Sequence, residues 1–227
     1  MQEKKSISVE RLIEEAAKNC ARDPAAITLV AVSKGHDASE IEVLYNKGQR
    51  IFGESRVQEA DEKRLFLPQD IEWHLIGTLQ AKKVNKVIGK YALIHSVHRV
   101  ELALKLSQAS QAKGIVTNIL LQVNPLGEET KHGFSIQELY DVFPVLLTQP
   151  GIKLKGLMAM APNTNDRALI KKCFSKTQEA CLTLQRKYAL PHFKELSMGM
   201  SQDYDIAIAC GATLVRIGSL LWSNPLS

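Results

Sequence analysis

The 227-residue sequence lacks the features that mark several large classes of protein. It has 4 cysteines, none in a CxxC pair or at zinc-ligand spacing from a histidine, so small buried thiols are expected. No apolar run approaches the roughly 18 residues that cross a membrane. Met1 to Lys5 is charged and has no apolar signal core. These absences predict a reduced, cytoplasmic protein without a membrane partner.

The sequence also lacks the marks of nucleotide and nucleic-acid binding. Neither GxGxxG nor GxxxxGK[ST] occurs, which excludes the usual nucleotide fingerprints. The net charge is only +5, and the densest basic run, residues 82–86, contains no arginine or aromatic residue. We interpret that run as the solvated face of a helix, with an anion contact as the less favoured alternative. No nucleic-acid partner is predicted.

The sequence does contain a regular alternation of apolar strand patterns and helix patterns, with enough apolar residues (45%) for a core. Strict alternation favours a parallel sheet, and this number of units predicts a single α/β domain over residues 1–227, a (β/α)8 TIM barrel with an extra N-terminal helix at Val9–Cys20. An open doubly wound sheet is the alternative. The predicted strands are Thr28–Lys34, Arg50–Gly53, Ile71–Ile76, Ala92–Val97, Ile115–Val123, Lys153–Met158, Lys194–Met198 and Thr213–Ile217.

Several helix starts are indicated by polar capping patterns. Ser8 is placed to cap the first helix. Three stretches match the capping box, in which a serine and the residue three places on bond each other's backbone: residues 39–42, 55–58 and 135–138. Each predicts that a helix begins at its serine.

Lys34 is the most unusual residue of the first predicted strand. It continues the parity of Thr28, Val30 and Val32, so along a strand it would point to the same face as an apolar row. A buried lysine needs a partner or a covalent role, and burial favours the neutral, nucleophilic amine that forms Schiff bases. The alternative is a strand-end lysine whose amine reaches solvent.

Other functional groups are expected where barrel strands end, because active sites of this fold lie at the carboxyl ends of the strands. These ends supply Glu54 and Ser55, His74 and Thr78, His95, and, in the last strand, Arg216. A guanidinium in an apolar strand needs an acceptor, so Arg216 is either part of a site or ion-paired with a carboxylate such as Glu54.

The loops after the last two strands resemble a phosphate cradle. Residues 198–201, Met-Gly-Met-Ser, run into a helix start, and Gly218 and Ser219 follow the last strand. Glycines allow backbone N–H groups to approach an anion, and these two loops commonly hold phosphate in TIM barrels. Ordinary loop glycines with capping serines are the alternative interpretation.

A reactive lysine, an arginine and a phosphate cradle in one barrel suggest pyridoxal phosphate. The aldehyde would join Lys34, and Arg216 would face the pyridine nitrogen. Because arginine only donates hydrogen bonds, that nitrogen would stay unprotonated and the cofactor would be a weak electron sink.

Seven motifs together resemble the pyridoxal phosphate homeostasis protein family over nearly the whole chain. They are Val32-Ser33-Lys34, Phe52-Gly53-Glu54, Trp73-His74-Leu75-Ile76-Gly77, Ile94-His95-Ser96-Val97, Gly156-Leu157-Met158, Leu196-Ser197-Met198-Gly199-Met200-Ser201 and Val215-Arg216-Ile217-Gly218. The resemblance implies the fold-type III barrel of alanine racemase.

The same resemblance implies a function. The family binds pyridoxal 5′-phosphate and is regarded as a cofactor carrier or regulator in vitamin B6 homeostasis without established catalysis, with apo-enzymes as possible recipients. It implies Lys34 as the Schiff-base residue and Arg216 as the partner of the ring nitrogen. Around the cofactor it implies Ser55, Met200, Ser201, Gly218 and Ser219. We expect a monomer.

The sequence departs from the family pattern at four positions. Ser55 stands where asparagine is usual near the cofactor, and its shorter side chain has less reach. Thr78 replaces a usual histidine, and Ser219 replaces threonine but keeps a hydroxyl. His98 replaces aspartate, which predicts a weaker helix cap.

An amino-acid racemase is the competing function. Racemisation needs a base on each face of the substrate carbon, and in alanine racemases the second base is a tyrosine from an additional β domain. We interpret the residues from Trp222 onward as a short tail, so no such domain is expected. His74 and His95 remain as candidate bases, and both are interpreted as hydrogen-bonded packing. A phosphate-binding barrel without the cofactor would leave Lys34 unexplained.

Overall fold

Eight parallel strands close into a barrel in the computed structural model, which describes residues 8–223. Each strand pairs with the next in the sequence, and the last pairs with the first, so the alternative open sheet is wrong. The strands are β1 Thr28–Val32, β2 Ile51–Glu54, β3 Glu72–Leu75, β4 Leu93–Val97, β5 Thr117–Val123, β6 Ile152–Ala159, β7 Glu195–Ser197 and β8 Leu214–Ile217.

Helices surround this barrel, as the alternation of patterns predicts. They are α1 Val9–Asn19, α2 Ala38–Asn46, α3 Val57–Lys63, α4 Val84–Val87, α5 Val100–Ala112, α6 Ile136–Leu147, α7 Arg167–Lys187, α8 Tyr204–Ala209 and α9 Ser219–Ser223. Short 3₁₀ turns occupy Pro24–Ala26 and Ala81–Lys83. Among the described residues, no helix is long and apolar enough to span a membrane.

The core has two parts because barrel strands alternate between an inner and an outer face. Val30, Leu93, Leu120, Met158 and Leu214 fill the inside of the barrel. A larger apolar layer lies between the outer faces of the strands and the helices. Cys173, Cys181 and Cys210 are buried free thiols, as expected, whereas Cys20 is half-buried.

Two of the three predicted capping boxes are wrong. Helix α2 is capped by Asp37, whose side chain accepts from Glu40 N at 3.0 Å while Glu40 accepts from Asp37 N at 2.9 Å. Asp37 has extended backbone torsions, the conformation of an N-cap, so the cap lies two residues before Ser39. Helix α3 follows Arg56 and has no side-chain cap, so Ser55 does not open it. The box at Ser135 is confirmed.

Some predictions concern residues at the two ends of the chain. The stretch Met1–Lys5 and the end of the tail, residues 224–227, lie outside the described residues. Within the described part, the tail interpretation is wrong, because Ser219–Ser223 forms helix α9. The helix at Val9–Cys20 and its Ser8 cap are confirmed, with the helix ending at Asn19.

Candidate functional site

A cavity of about 590 Å³ lies at the carboxyl ends of the strands, and a second of about 380 Å³ adjoins it. The two share Val32, Met200, Arg216, Gly218 and Ser219, so we treat them as one barrel-mouth cavity. It brings together every site residue that the sequence predicts: Lys34, Ser55, Met200, Ser201, Arg216, Gly218 and Ser219.

Lys34 sits on a turn rather than on the strand that leads to it. Strand β1 ends at Val32, and His36 N donates to Ser33 O at 3.1 Å across the turn. Gly35 has φ +82°, which matches the third position of a type II turn, where glycine is favoured. Lys34 therefore occupies the second position and is exposed. The expectation of a buried, strand-borne lysine is wrong, although Lys34 does line the cavity.

Trp222 of α9 holds one side of this turn. Its indole Nε1 donates to Val32 O at 2.8 Å, and its ring stacks on His36 with centroids 3.8 Å apart. Both residues line the cavity beside Lys34. Neither residue was predicted, because Trp222 was interpreted as part of a tail and no sequence pattern marks His36.

Arg216 points into the barrel from β8. It pairs in register with Val30, an inward residue of β1, and is 4% exposed. Its guanidinium donates to Ser197 Oγ at 2.6 Å and to Ala159 O at 3.0 Å, and neither acceptor is charged. Burial lowers the pKa of Arg216 to about 10, and the charge of Asp203 opposes that shift. A buried cation thus faces the cavity.

The predicted alternative partner of Arg216, Glu54, is engaged elsewhere. Its carboxylate binds Lys63 Nζ at 2.6 Å and accepts from Ser33 Oγ at 2.7 Å. The structural ion pair between Glu54 and Arg216 is therefore absent. Arg216 therefore presents its charge to the cavity and not to Glu54.

A chain of buried polar groups continues inward from Arg216. Since arginine only donates, Ser197 Oγ accepts from it and directs its own hydrogen to His95 Nδ1, 2.8 Å away. His95 then carries its proton on Nε2, which donates to His74 Nδ1 at 3.0 Å. The network thereby assigns both tautomers.

The two histidines of this hydrogen-bond network, His74 and His95, are neutral packing groups. Burial lowers the pKa of His74 to about 4 and that of His95 well below its ordinary value, and proximity to His74 and Arg216 further disfavours the protonated form of His95. They lie below the cavity and do not line it, so they are not bases in the barrel mouth. The expectation of hydrogen-bonded packing fits both.

The predicted phosphate loops lie side by side. Leu220 N donates to Ser201 Oγ at 3.3 Å, which ties the β7–α8 loop to the start of α9. Gly199, at φ +92°, has no room for a side chain, because a Cβ there would lie 2.5 Å from Ala207 Cβ. The loop is thus packed tightly against α8, with Ser201, Gly218 and Ser219 on the cavity wall.

Asp203 is a further residue of this loop that lines the cavity and was not predicted from the sequence. Its Oδ1 accepts from Met200 N at 2.6 Å and so closes the loop. Burial raises its pKa, while the bond from Met200 and the charge of Arg216 act in the opposite direction. No local sequence pattern marks Asp203, because an Asx turn bonds an N–H two residues further along the chain, whereas this carboxylate bonds an N–H three residues back.

Two of the four positions at which the sequence departs from the family pattern, Ser55 and Thr78, line another part of the cavity wall. Gly77 packs directly on Ser55, since a Cβ on Gly77 would lie 2.3 Å from Ser55 O. His132 also lines this wall and lies 5.0 Å from His98, ring to ring, and no sequence signal marked it. His98 hydrogen-bonds Ser96 O at 3.1 Å and does not cap α5.

The fold and this arrangement define the class to which the chain belongs. The family model for the alanine racemase N-terminal domain matches residues 11–224. An alanine racemase from Clostridium difficile superposes with a TM-score of 0.71 over 93% of this chain and 56% of that one, at 16% identity, which establishes the fold.

Closer relatives identify the family within that class. The pyridoxal phosphate homeostasis protein of Aquifex aeolicus is 40% identical over 215 residues, 93% of each chain. That of Helicobacter pylori is 42% identical over 201 residues, 87% of this chain and 88% of its own. PipY of Synechococcus elongatus, solved with pyridoxal phosphate bound, is 36% identical with a TM-score of 0.82, covering 93% of this chain and 99% of that one. This chain belongs to the pyridoxal phosphate homeostasis protein family.

Proposed function

We propose that the chain binds pyridoxal 5′-phosphate as a Schiff base on Lys34 and acts as a cytoplasmic carrier or regulator of the cofactor. Residues 1–227 would form one cofactor-binding domain. One observation carries the proposal: an exposed lysine and a buried arginine without a carboxylate partner among the described residues face one cavity with two serine- and glycine-bearing loops.

The residues present fit the cofactor in size and chemistry. A cavity of about 590 Å³ is in the range for a small-molecule site. Lys34 supplies an accessible amine for an aldehyde, and the hydroxyls of Ser201 and Ser219 with Gly218 suit a phosphate. Arg216 suits an acceptor such as the pyridine nitrogen, because it has five N–H groups and uses two in bonds to the described residues.

The chemistry of the site follows from its own groups. When bound, the cofactor supplies an electrophilic carbonyl carbon and an electron-withdrawing ring. Arg216 would donate to the ring nitrogen and keep its own proton, so it would hold the ring in place without strengthening electron withdrawal. Ser197 fixes the guanidinium plane from below. This combination favours holding a cofactor over stabilising a carbanion.

Borohydride trapping tests the proposal. The purified protein should absorb as a Schiff base, and after reduction the cofactor should be found on the peptide that contains Lys34. Lys34→Ala should abolish the label, whereas the matched variant Lys105→Ala, which removes an exposed lysine from α5, should retain it. A label on another lysine, or none, would refute the assignment.

Racemase activity is the second candidate, and His132 is the observation that favours it. It is a titratable group lining the same cavity as Lys34. Against it, no tyrosine is among the described residues that line the cavity. We expect exchange of the α-hydrogen of alanine with deuterium to stay far below ordinary turnover, roughly one per second. Faster exchange that depends on Lys34 and falls in His132→Asn would establish the enzyme instead.

A further inference from the structure

A buried charge cluster lies directly beneath the turn that carries Lys34, and the proposed function does not use it. It consists of Lys63, Glu54 and Glu59, hereafter the Lys63 cluster. Lys63 is 8% exposed and Glu54 is fully buried, while the side chain of Glu59 is 23% exposed. Charged groups are rarely buried this way without a specific arrangement of partners.

The ammonium of Lys63 is fully occupied. It donates to Glu54 Oε1 at 2.6 Å, to Glu59 Oε1 at 2.8 Å and to the backbone oxygen of Ser33 at 2.8 Å. Since an ammonium has three N–H donors, all of them are used. One of the three goes to the residue immediately before Lys34.

The two carboxylates of the cluster also hydrogen-bond the turn directly. Glu59 Oε1 accepts from the backbone N–H of Gly35 at 2.7 Å, and Glu54 Oε1 accepts from Ser33 Oγ at 2.7 Å. The cluster therefore bonds the residues on both sides of Lys34. Burial acts to raise the pKa of Glu59, but the bonds from Lys63 and Gly35 outweigh it, so the pKa is lowered and Glu59 is a carboxylate at neutral pH.

Stability alone is a poor explanation of this cluster. Buried ion pairs often stabilise a fold less than apolar residues of the same size. Here two carboxylates share one ammonium, and Glu54 Oε2 is buried without a hydrogen bond to any described residue. What the arrangement achieves is geometric: it fixes the peptide groups on both sides of a long, flexible side chain.

We propose that Lys63, Glu54 and Glu59 are positioning residues for Lys34, which hold its turn so that the amine meets the cofactor aldehyde. The proposal rests on the proposed cofactor function. A pre-formed turn lowers the entropic cost of bringing amine and aldehyde together, and small displacements of a reacting group are costly in rate. Loss of the hydrogen bonds from the Lys63 cluster to the turn should therefore slow Schiff-base formation without removing any group that reacts.

Glu59 offers the sharpest test because it is partly exposed, so its variants are the least disruptive. Glu59→Ala removes the acceptor of the Gly35 N–H, and Glu59→Gln keeps an oxygen in its place. Asp61→Ala is the matched control. Asp61 lies on the same helix, α3, and its ion pairs are with Arg64 and Lys90 rather than with the turn.

Two measurements are needed. In the protein without added cofactor, Gly35 amide hydrogen exchange followed by NMR should accelerate at least tenfold in Glu59→Ala. With pyridoxal phosphate added, Schiff-base formation followed by absorbance should slow by about tenfold or more in Glu59→Ala and Lys63→Met. Glu59→Gln should recover to within threefold of the native chain, and Asp61→Ala should be unchanged in both.

The outcomes separate this inference from the proposed function. If the native chain forms no adduct on Lys34, the cofactor proposal fails and the positioning role fails with it, whatever the exchange rates. If the native chain forms the adduct but Glu59→Ala, still folded by circular dichroism, matches it in exchange or in adduct formation, the positioning role alone is overturned. A Glu59→Gln variant as slow as Glu59→Ala also overturns it, because the hydrogen bond to Gly35 would then be irrelevant.

Discussion

Arg216 combines two properties that seldom occur together in one residue. It is almost completely buried, yet its hydrogen bonds to described residues go to a hydroxyl and a carbonyl rather than to a carboxylate. Holding a charge in that position costs stability, because the group has lost water and forms no ion pair with a described residue, and the charge of Asp203 offsets only part of the effect of burial. A ligand acceptor in the cavity would offset that cost.

We expect Arg216→Met to make the cofactor-free protein more stable while weakening cofactor retention. Replacing a buried charge that makes no ion pair with a described residue by an apolar side chain of similar length should add about 1–2 kcal/mol to the unfolding free energy. Losing a charge-assisted hydrogen bond should weaken retention by roughly 10- to 100-fold. Urea denaturation and equilibrium dialysis measure the two effects.

Arg22 is the matched control for that substitution. Like Arg216 it donates to two uncharged acceptors, in this case the backbone oxygens of Ile208 and Ala212, but it lies outside the cavity. Arg22→Met should lose stability and leave retention unchanged. Equal losses of stability in both variants would mean that Arg216 has a structural role.

The turn of residues 33–36 is the element on which the site depends. It follows strand β1 directly. Lys63 and Glu59 hydrogen-bond its backbone, and Trp222 stacks on His36 and bonds Val32 O, just before the turn. Its conformation requires a positive φ at Gly35. The position of Lys34 is thus set by backbone geometry and not by burial of its own side chain.

Gly35→Ala should therefore impair cofactor binding beyond its effect on stability. A non-glycine residue at φ +82° costs about 1–2 kcal/mol, and relief of that strain would move the turn. Gly48→Ala is a close control, since Gly48 has φ +103° and, like Gly35, no atom within 4 Å of the added Cβ. The temperature of thermal unfolding should fall by a similar amount in both variants. Adduct formation should slow only in Gly35→Ala. Equal adduct rates would contradict this.

The barrel could be predicted from the sequence because β-branched strands and amphipathic helices alternate regularly, and that signal is local. The cavity residues followed from strand ends, which meet at one edge in any such barrel. The turn at Lys34 did not follow, since strand parity says nothing about where a strand stops. The bonds of Lys63 could not be predicted either, because its partners Glu54 and Ser33 come from two other elements. The same holds for the contact between Trp222 and Val32, which are 190 residues apart.

Across the whole molecule, the buried histidines should make folding sensitive to acid. His74 has a pKa of about 4 in the folded state, below its ordinary value, so below about pH 6.5 the unfolded chain binds more protons. Stability should therefore fall as the pH is lowered from about 6.5 towards 4, by about 3 kcal/mol from His74 alone.

Urea denaturation at a series of pH values measures this slope. His74→Gln should flatten it over that interval, because this variant removes the group whose folded-state pKa is lowered. An unchanged slope in His74→Gln would assign the acid sensitivity to other groups.

Closure of the barrel has a consequence for the order of events during synthesis. Lys34 follows the first strand, while Arg216, Gly218 and Ser219 belong to the last strand and the helix after it. A chain emerging from the ribosome thus exposes its amine long before the arginine and the loops that complete the cavity. Ligand capture must wait until β8 docks beside β1, so a nascent chain stalled before residue 214 should carry no cofactor on Lys34.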